Sequence, residues 1–93
     1  MDKKKLKIVR NKIDQIDRDI FNLIKKRTKI VKYMLNLKKY KFQIVDKKRI
    51  EEILKNIKKK SIKNGIDPKM TYRIWKSMIW SYVEFQRRNF KKK

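Results

Sequence analysis

The chain has 93 residues and a formal net charge of +22, from 31 Lys and Arg against nine Asp and Glu. It contains no Cys and no His, which excludes a disulfide, a thiolate nucleophile, an imidazole metal site and a Ser–His pair. One Gly and one Pro allow few turns, and no alternating strand pattern appears, so residues 1–93 read as a single all-α domain. A domain of this size buries only ~60–65% of its unfolded surface, which makes its own core marginal.

The first element predicted is a very long helix, from about Lys3 to about Lys41. Its apolar residues are Leu6, Val9, Ile13, Ile16, Ile20, Leu23, Ile30, Met34 and Leu37. The steps alternate three and four, as in a heptad seam. Such a helix is ~55–60 Å long, whereas a compact globule of this size is only ~32 Å across. Its apolar excess therefore needs a second surface, most economically another copy of the chain, and an intertwined homodimer is expected.

Lys39-Tyr40-Lys41-Phe42-Gln43 reads as the connection. The second helix starts at Asp46, a good N-cap, with Ile50, Ile53, Leu54, Ile57 and Ile62 as its apolar positions. Asn64-Gly65 ends it, and Asp67-Pro68 starts the third. The third helix carries Ile74, Trp75, Met78, Ile79, Tyr82, Val83 and Gln86 on one broad face. Arg87 to Lys93 reads as a fraying basic tail.

Lys3-Lys4-Lys5 leads into an amphipathic pattern and not an unbroken apolar run. Neither a secretory signal nor a membrane span is predicted, and the expected location is the cytoplasm. Lys outnumbers Arg and is spread along the whole chain, so solvated helix faces account for most of the charge. Nucleic-acid binding or an anionic ligand are the sharper readings.

Arg27 occupies a seam position between Leu23 and Ile30. A charge there costs several kcal/mol unless it is paired. It marks either a buried ion pair, with Asp17 or an acid of another helix, or a pocket for an anion. Lys38 follows eleven residues later and projects from nearly the same side. The two are ~16 Å apart along the axis, within reach of one small ligand. Arg10 is turned ~100° from Arg27, so it serves a partner's pocket more readily than its own. Arg49 and Gln86 can close the site from the other helices. The result is a cationic pocket with one amide, suited to a compact dianion. It has no general base, nucleophile or metal ligands, so any chemistry rests on electrostatic preorganisation.

The run Val9-Arg10-x-x-Ile13-Asp14-x-Ile16-Asp17, then Arg27 and Lys38 at these gaps, resembles the all-α (AroQ-type) chorismate mutases. Val45-Asp46-x-x-Arg49, Gly65-Ile66-Asp67 and Gln86 continue the resemblance over about residues 6 to 86. It implies an intertwined homodimer of three-helix protomers that rearranges chorismate to prephenate without cofactor, metal or covalent intermediate. By resemblance, Arg27 and the second copy's Arg10 hold the two carboxylates. Lys38 and Gln86 hydrogen-bond the ether oxygen, Arg49 adds a further cation, and Asp46 fixes the ring-hydroxyl end through its main chain.

Two positions depart from the family's pattern. Ile50 stands where a Glu that grips the ring hydroxyl is common, and Tyr82 where a small polar residue is frequent. Both are similar to the related isochorismate pyruvate lyases, which release salicylate and pyruvate. A chorismate mutase of aromatic amino-acid biosynthesis is the favoured reading and the lyase is the alternative. A basic helical nucleic-acid binder is a remote third. It leaves Arg27 and Gln86 in apolar stripes unexplained and matches no DNA-reading motif.

Overall fold

The structure is a computed structural model that describes residues 2–91. The described residues form three α-helices, α1 (Lys3–Asn36), α2 (Lys47–Lys63) and α3 (Pro68–Asn89), with a 3-10 turn at Lys41–Ile44 before α2. None of them is in a strand. The predicted all-α class and helix order are therefore observed. The closing Lys92 and Lys93 of the basic tail lie outside the described residues. Among the described residues, no helix is long and apolar enough to cross a membrane. The chain divides into two compact units, one up to Tyr33 and one from Met34 onward.

The first unit is helical from Lys3 onward. Asp2 starts it, its carboxylate accepting from the main-chain N–H of Lys4 (3.0 Å) and Lys5 (3.2 Å). This supplies acceptors for the donors that a helix start leaves open. The heptad seam is present but uncovered in the single chain. Val9, Ile13, Ile16, Ile20 and Leu23 each keep roughly half or more of their surface exposed.

The second unit holds the core, a cluster of Leu35, Ile44 and Val83 against which Val45 and Phe90 pack. Helix α1 ends at Asn36, ahead of the Lys41 that periodicity predicts. Its last turn tightens through bonds from Leu37 N to Met34 O and from Lys38 N to Leu35 O, both 3.1 Å. The Gln43 side chain then takes the next donors, Oε1 accepting from Lys39 N and Tyr40 N at 2.9 Å each. The helix stops because another acceptor satisfies these groups, and because Ile44 is drawn into the core.

Helix α2 starts where Asp46 predicts, with Oδ1 accepting from Arg49 N at 3.0 Å. It ends at the predicted Asn64-Gly65 in a Schellman motif. Ile66 N bonds Ser61 O (2.9 Å), Gly65 N bonds Ile62 O (3.3 Å), and Gly65 takes the left-handed φ of 67°. Asp67 caps α3 through Lys69 N at 2.9 Å, with Pro68 at the first position. Helix α3 continues through Arg87 and Arg88 to Asn89, further than the predicted tail allows. An Arg87–Glu84 pair at 3.1 Å and an Asn89 Nδ2 bond to Phe85 O at 2.8 Å lie on this last stretch.

Helices α2 and α3 pack on each other. On α3, Ile79, Val83 and Gln86 are buried, while Ile74, assigned to the same face, is 50% exposed. On α2, Ile50, Ile53, Leu54 and Ile57 are half-buried. The stripe then continues to Ser61, which is buried, and not to Ile62, which is 62% exposed. One residue is a 100° turn on a helix, and the four-residue step from Ile57 reaches Ser61. Ser61 Oγ donates to Ile57 O at 2.7 Å and meets Thr71 Oγ1 at 2.6 Å. The Thr71 hydroxyl also lies 3.4 Å from the carbonyls of Asp67 and Pro68, and either hydroxyl can donate across the pair.

Ser61→Ala removes the 2.6 Å partner of the buried Thr71 hydroxyl and leaves it only the longer contacts to the Asp67 and Pro68 carbonyls, and a cost of ~1 kcal/mol is expected in urea unfolding. Ser61→Ala combined with Thr71→Val should cost less than the sum of the two single changes. A strictly additive cycle would show that the pair is not coupled.

Candidate functional site

The site residues follow from the core. Leu35 on α1 and Val83 on α3 belong to one buried cluster. Lys38 lies three residues beyond the first, and Gln86 three beyond the second. These equal offsets bring the two side chains together although they are 48 residues apart in sequence. Lys38 Nζ donates to Gln86 Oε1 at 2.8 Å. Gln86 is only 5% exposed, and its Nε2 donates to the Tyr82 carbonyl at 3.2 Å. Both ends of the amide are thus engaged, which fixes its orientation.

Lys38 is half-buried. Burial pushes its ammonium below its ordinary pKa, and the Asp46 carboxylate partly offsets this by favouring the charged form. An ammonium has three donors, and Gln86 takes one, which leaves capacity for an external acceptor. Lys38 also borders an open hollow lined with Phe42, Gln43, Val45, Asp46 and Lys47.

Of the other predicted residues in this unit, Asp46 is exposed and works as the cap of α2. Arg49 donates its main-chain N–H to that cap, while its guanidinium turns outward to Glu52 at 2.9 Å. Both partners of this pair are more than half exposed, so it adds little stability. Ile50 is half-buried, and its N–H bonds Asp46 O at 3.0 Å. Tyr82 is half-buried, its ring 6.3 Å from that of Phe85 in a tilted pair. Arg10 and Arg27 belong to the first unit. Arg10 is exposed and Arg27 half-buried.

Gln43 is absent from the sequence-based set, although it borders the hollow and closes the turn after Lys38. The one sequence signal for it is a Gln three residues after a turn position, at the third place of a short helical turn, where a side-chain acceptor can reach back. Among the described residues, no group of three or more His, Cys, Asp and Glu is placed to hold a metal ion. The Lys38–Gln86 pair presents donors, the natural partners of an oxygen that gains negative charge.

Comparison with curated proteins and with solved structures returned no match. The family model described as chorismate mutase type II matches residues 9–87. That span takes in α2 whole and nearly all of α1 and α3, with every candidate site residue. The chain belongs to the chorismate mutase type II family and is an enzyme that isomerises chorismate to prephenate.

Proposed function

We propose that Lys38 and Gln86 are the catalytic residues, and that they act by hydrogen-bonding the ether oxygen of chorismate. In this pericyclic step the C–O bond breaks as a C–C bond forms, and negative charge builds on that oxygen. No proton has to move and no covalent intermediate forms. Catalysis then depends on donors held in place before the reaction and on a substrate held in a reactive conformation. The observation that carries this reading is the 2.8 Å bond between Lys38 and the buried Gln86 amide. It pairs the two residues to which the family resemblance assigns one oxygen.

Arg27 and Arg10 of a second copy supply the bidentate partners for the two carboxylates. Arg49 adds a cation and Asp46 a main-chain contact at the ring-hydroxyl end. We read residues 1–93 as a single domain and the assembly as an intertwined homodimer in the cytoplasm. The long uncovered seam of α1 supports this, since contiguous exposed apolar surface of this extent marks an interface. Ile50 is half-buried on α2, and residue 82 holds Gln86 through its main-chain carbonyl, so the Lys38–Gln86 pair forms with both departures present. The family match favours the mutase over the isochorismate lyase. Turnover of chorismate and isochorismate offered separately tests that choice directly.

Lys38→Ala removes a preorganised donor to the developing oxyanion and should lower kcat by ~10²–10³, or ~3–4 kcal/mol. Wild-type turnover in that variant would rule out the mechanism.

Lys38 must be protonated to offer a charged donor to the developing oxyanion. Burial lowers its pKa in the free enzyme, so kcat/KM should fall at high pH with a midpoint below 10.5. A bound dianion favours the ammonium, and the corresponding fall in kcat should lie at higher pH. Asp46→Asn keeps a good N-cap but removes the carboxylate that raises the Lys38 pKa. The kcat/KM midpoint should then move down, and an unchanged midpoint would show that the alkaline limb is not Lys38.

Subunit mixing tests the assignment of Arg10. Arg10→Ala and Lys38→Ala should each be nearly inactive alone. If Arg10 acts across the dimer, a mixed dimer has one intact site, and random mixing should restore about a quarter of wild-type activity. If Arg10 acts within its own chain, mixing restores nothing.

A further inference from the structure

We infer that Gln43 is a positioning residue for Lys38, setting the direction in which its ammonium points. The inference rests on the role given above to Lys38. Lys38 is not within a helix, because α1 ends at Asn36. A residue just past a helix end has backbone freedom that residues inside the helix lack. Its side chain nevertheless has to meet a buried amide.

The segment from Lys38 to Ile44 is fixed at both ends by burial, since Leu35 before it is 7% exposed and Ile44 after it is 5% exposed. Between these anchors one side chain closes the loop. Gln43 Oε1 accepts from Lys39 N and from Tyr40 N, both at 2.9 Å, while Gln43 N donates to Tyr40 O at 3.1 Å. Lys39 N belongs to the peptide unit that joins it to Lys38. Holding that N–H therefore constrains the torsion that follows the Lys38 Cα. Gln43 borders the same hollow as Lys38 and Asp46, so it reaches the substrate side of the turn without being assigned a contact to the reacting atoms.

The neighbouring side chains do not do this. Tyr40 and Phe42 stack on each other with ring centroids 5.6 Å apart, but they are 59% and 78% exposed and pack into no core. The backbone order of the turn thus depends on the Gln43 amide more than on apolar burial.

The test is a cycle on chorismate turnover, using Gln43→Ala, Gln43→Glu, Lys38→Ala and the Gln43→Ala/Lys38→Ala double variant, with circular dichroism to confirm folding. Gln43→Ala should lower kcat about tenfold or more with KM within about twofold, since a misplacement of about 1 Å can cost up to 10² in rate. Gln43→Glu keeps an acceptor for both N–H groups and should recover most of the lost kcat. In the Lys38→Ala background, Gln43→Ala should cost almost nothing further, because the group it positions is gone. A Gln43→Ala kcat at the wild-type level, with Lys38→Ala impaired, would overturn the inference and leave the reading of Lys38 standing. So would an equal loss from Gln43→Ala in both backgrounds. Full activity in Lys38→Ala would overturn the reading of Lys38, and with it the inference. If Gln43→Ala does not fold, Gln43→Met, which keeps the side-chain length but has no amide acceptor, replaces it in the cycle: a loss seen only when Lys38 is present supports positioning, and a wild-type kcat or an equal loss in both backgrounds overturns it.

Discussion

Leu35, Ile44 and Val83 have to be buried together, and much of the unit from Met34 onward follows from that. The cluster is small, and each member comes from a different stretch: the end of α1, the 3-10 turn and α3. Loop closure costs entropy whatever the length of chain between contacts. Burial of three aliphatic side chains returns about 1.5–3 kcal/mol for each one fully buried. Once Leu35 meets Val83, residues three further along both stretches are neighbours at the rim. The Lys38–Gln86 bond lies there, at the edge of an apolar cluster where water is partly excluded. That position lowers the Lys38 pKa and strengthens the electrostatic effect of any donor aimed at a substrate.

Polar side chains at the joints set how the helices meet. Asp46 has two effects at once: its carboxylate caps α2 and offsets the desolvation of Lys38. Gln43 ends α1 in practice by supplying the acceptor for Lys39 N and Tyr40 N. The Schellman motif at Gly65 turns the chain so that Ser61 and Thr71 can pair between α2 and α3. The high positive charge, spread over exposed helix faces, contributes little to packing, and a net charge of this sign favours the approach of dianions over cations.

Much of this was legible in the residues, because local chemistry governs it. Asp46 and Asn64-Gly65 marked both ends of α2, and Asp67-Pro68 the start of α3, since caps act on backbone groups only a few residues away. The end of α1 was not legible. Its apolar period runs on to Leu37, but the helix stops at Asn36 and Leu37 is 64% exposed. The deciding acceptor comes from Gln43, and the deciding pull from the burial of Ile44. Ile62 was misplaced for a related reason. It looks like a stripe residue, but the α2–α3 contact selects Ser61, whose hydroxyl finds a partner in Thr71. Hydrophobicity alone does not identify a buried hydroxyl pair.

The sequence by itself determined the helical class, the order of the helices, both limits of α2 and the start of α3, and it carries the residues in which the family resemblance lies. These depend on spacing, caps and residue chemistry, all of which act over a few positions. Only the tertiary structure decided where α1 stops, that Ser61 and not Ile62 is buried on α2, and that Lys38 bonds the buried Gln86 amide. Each of these depends on which groups share the limited interior of a small protein. That is settled by packing between distant segments, and no local pattern records it.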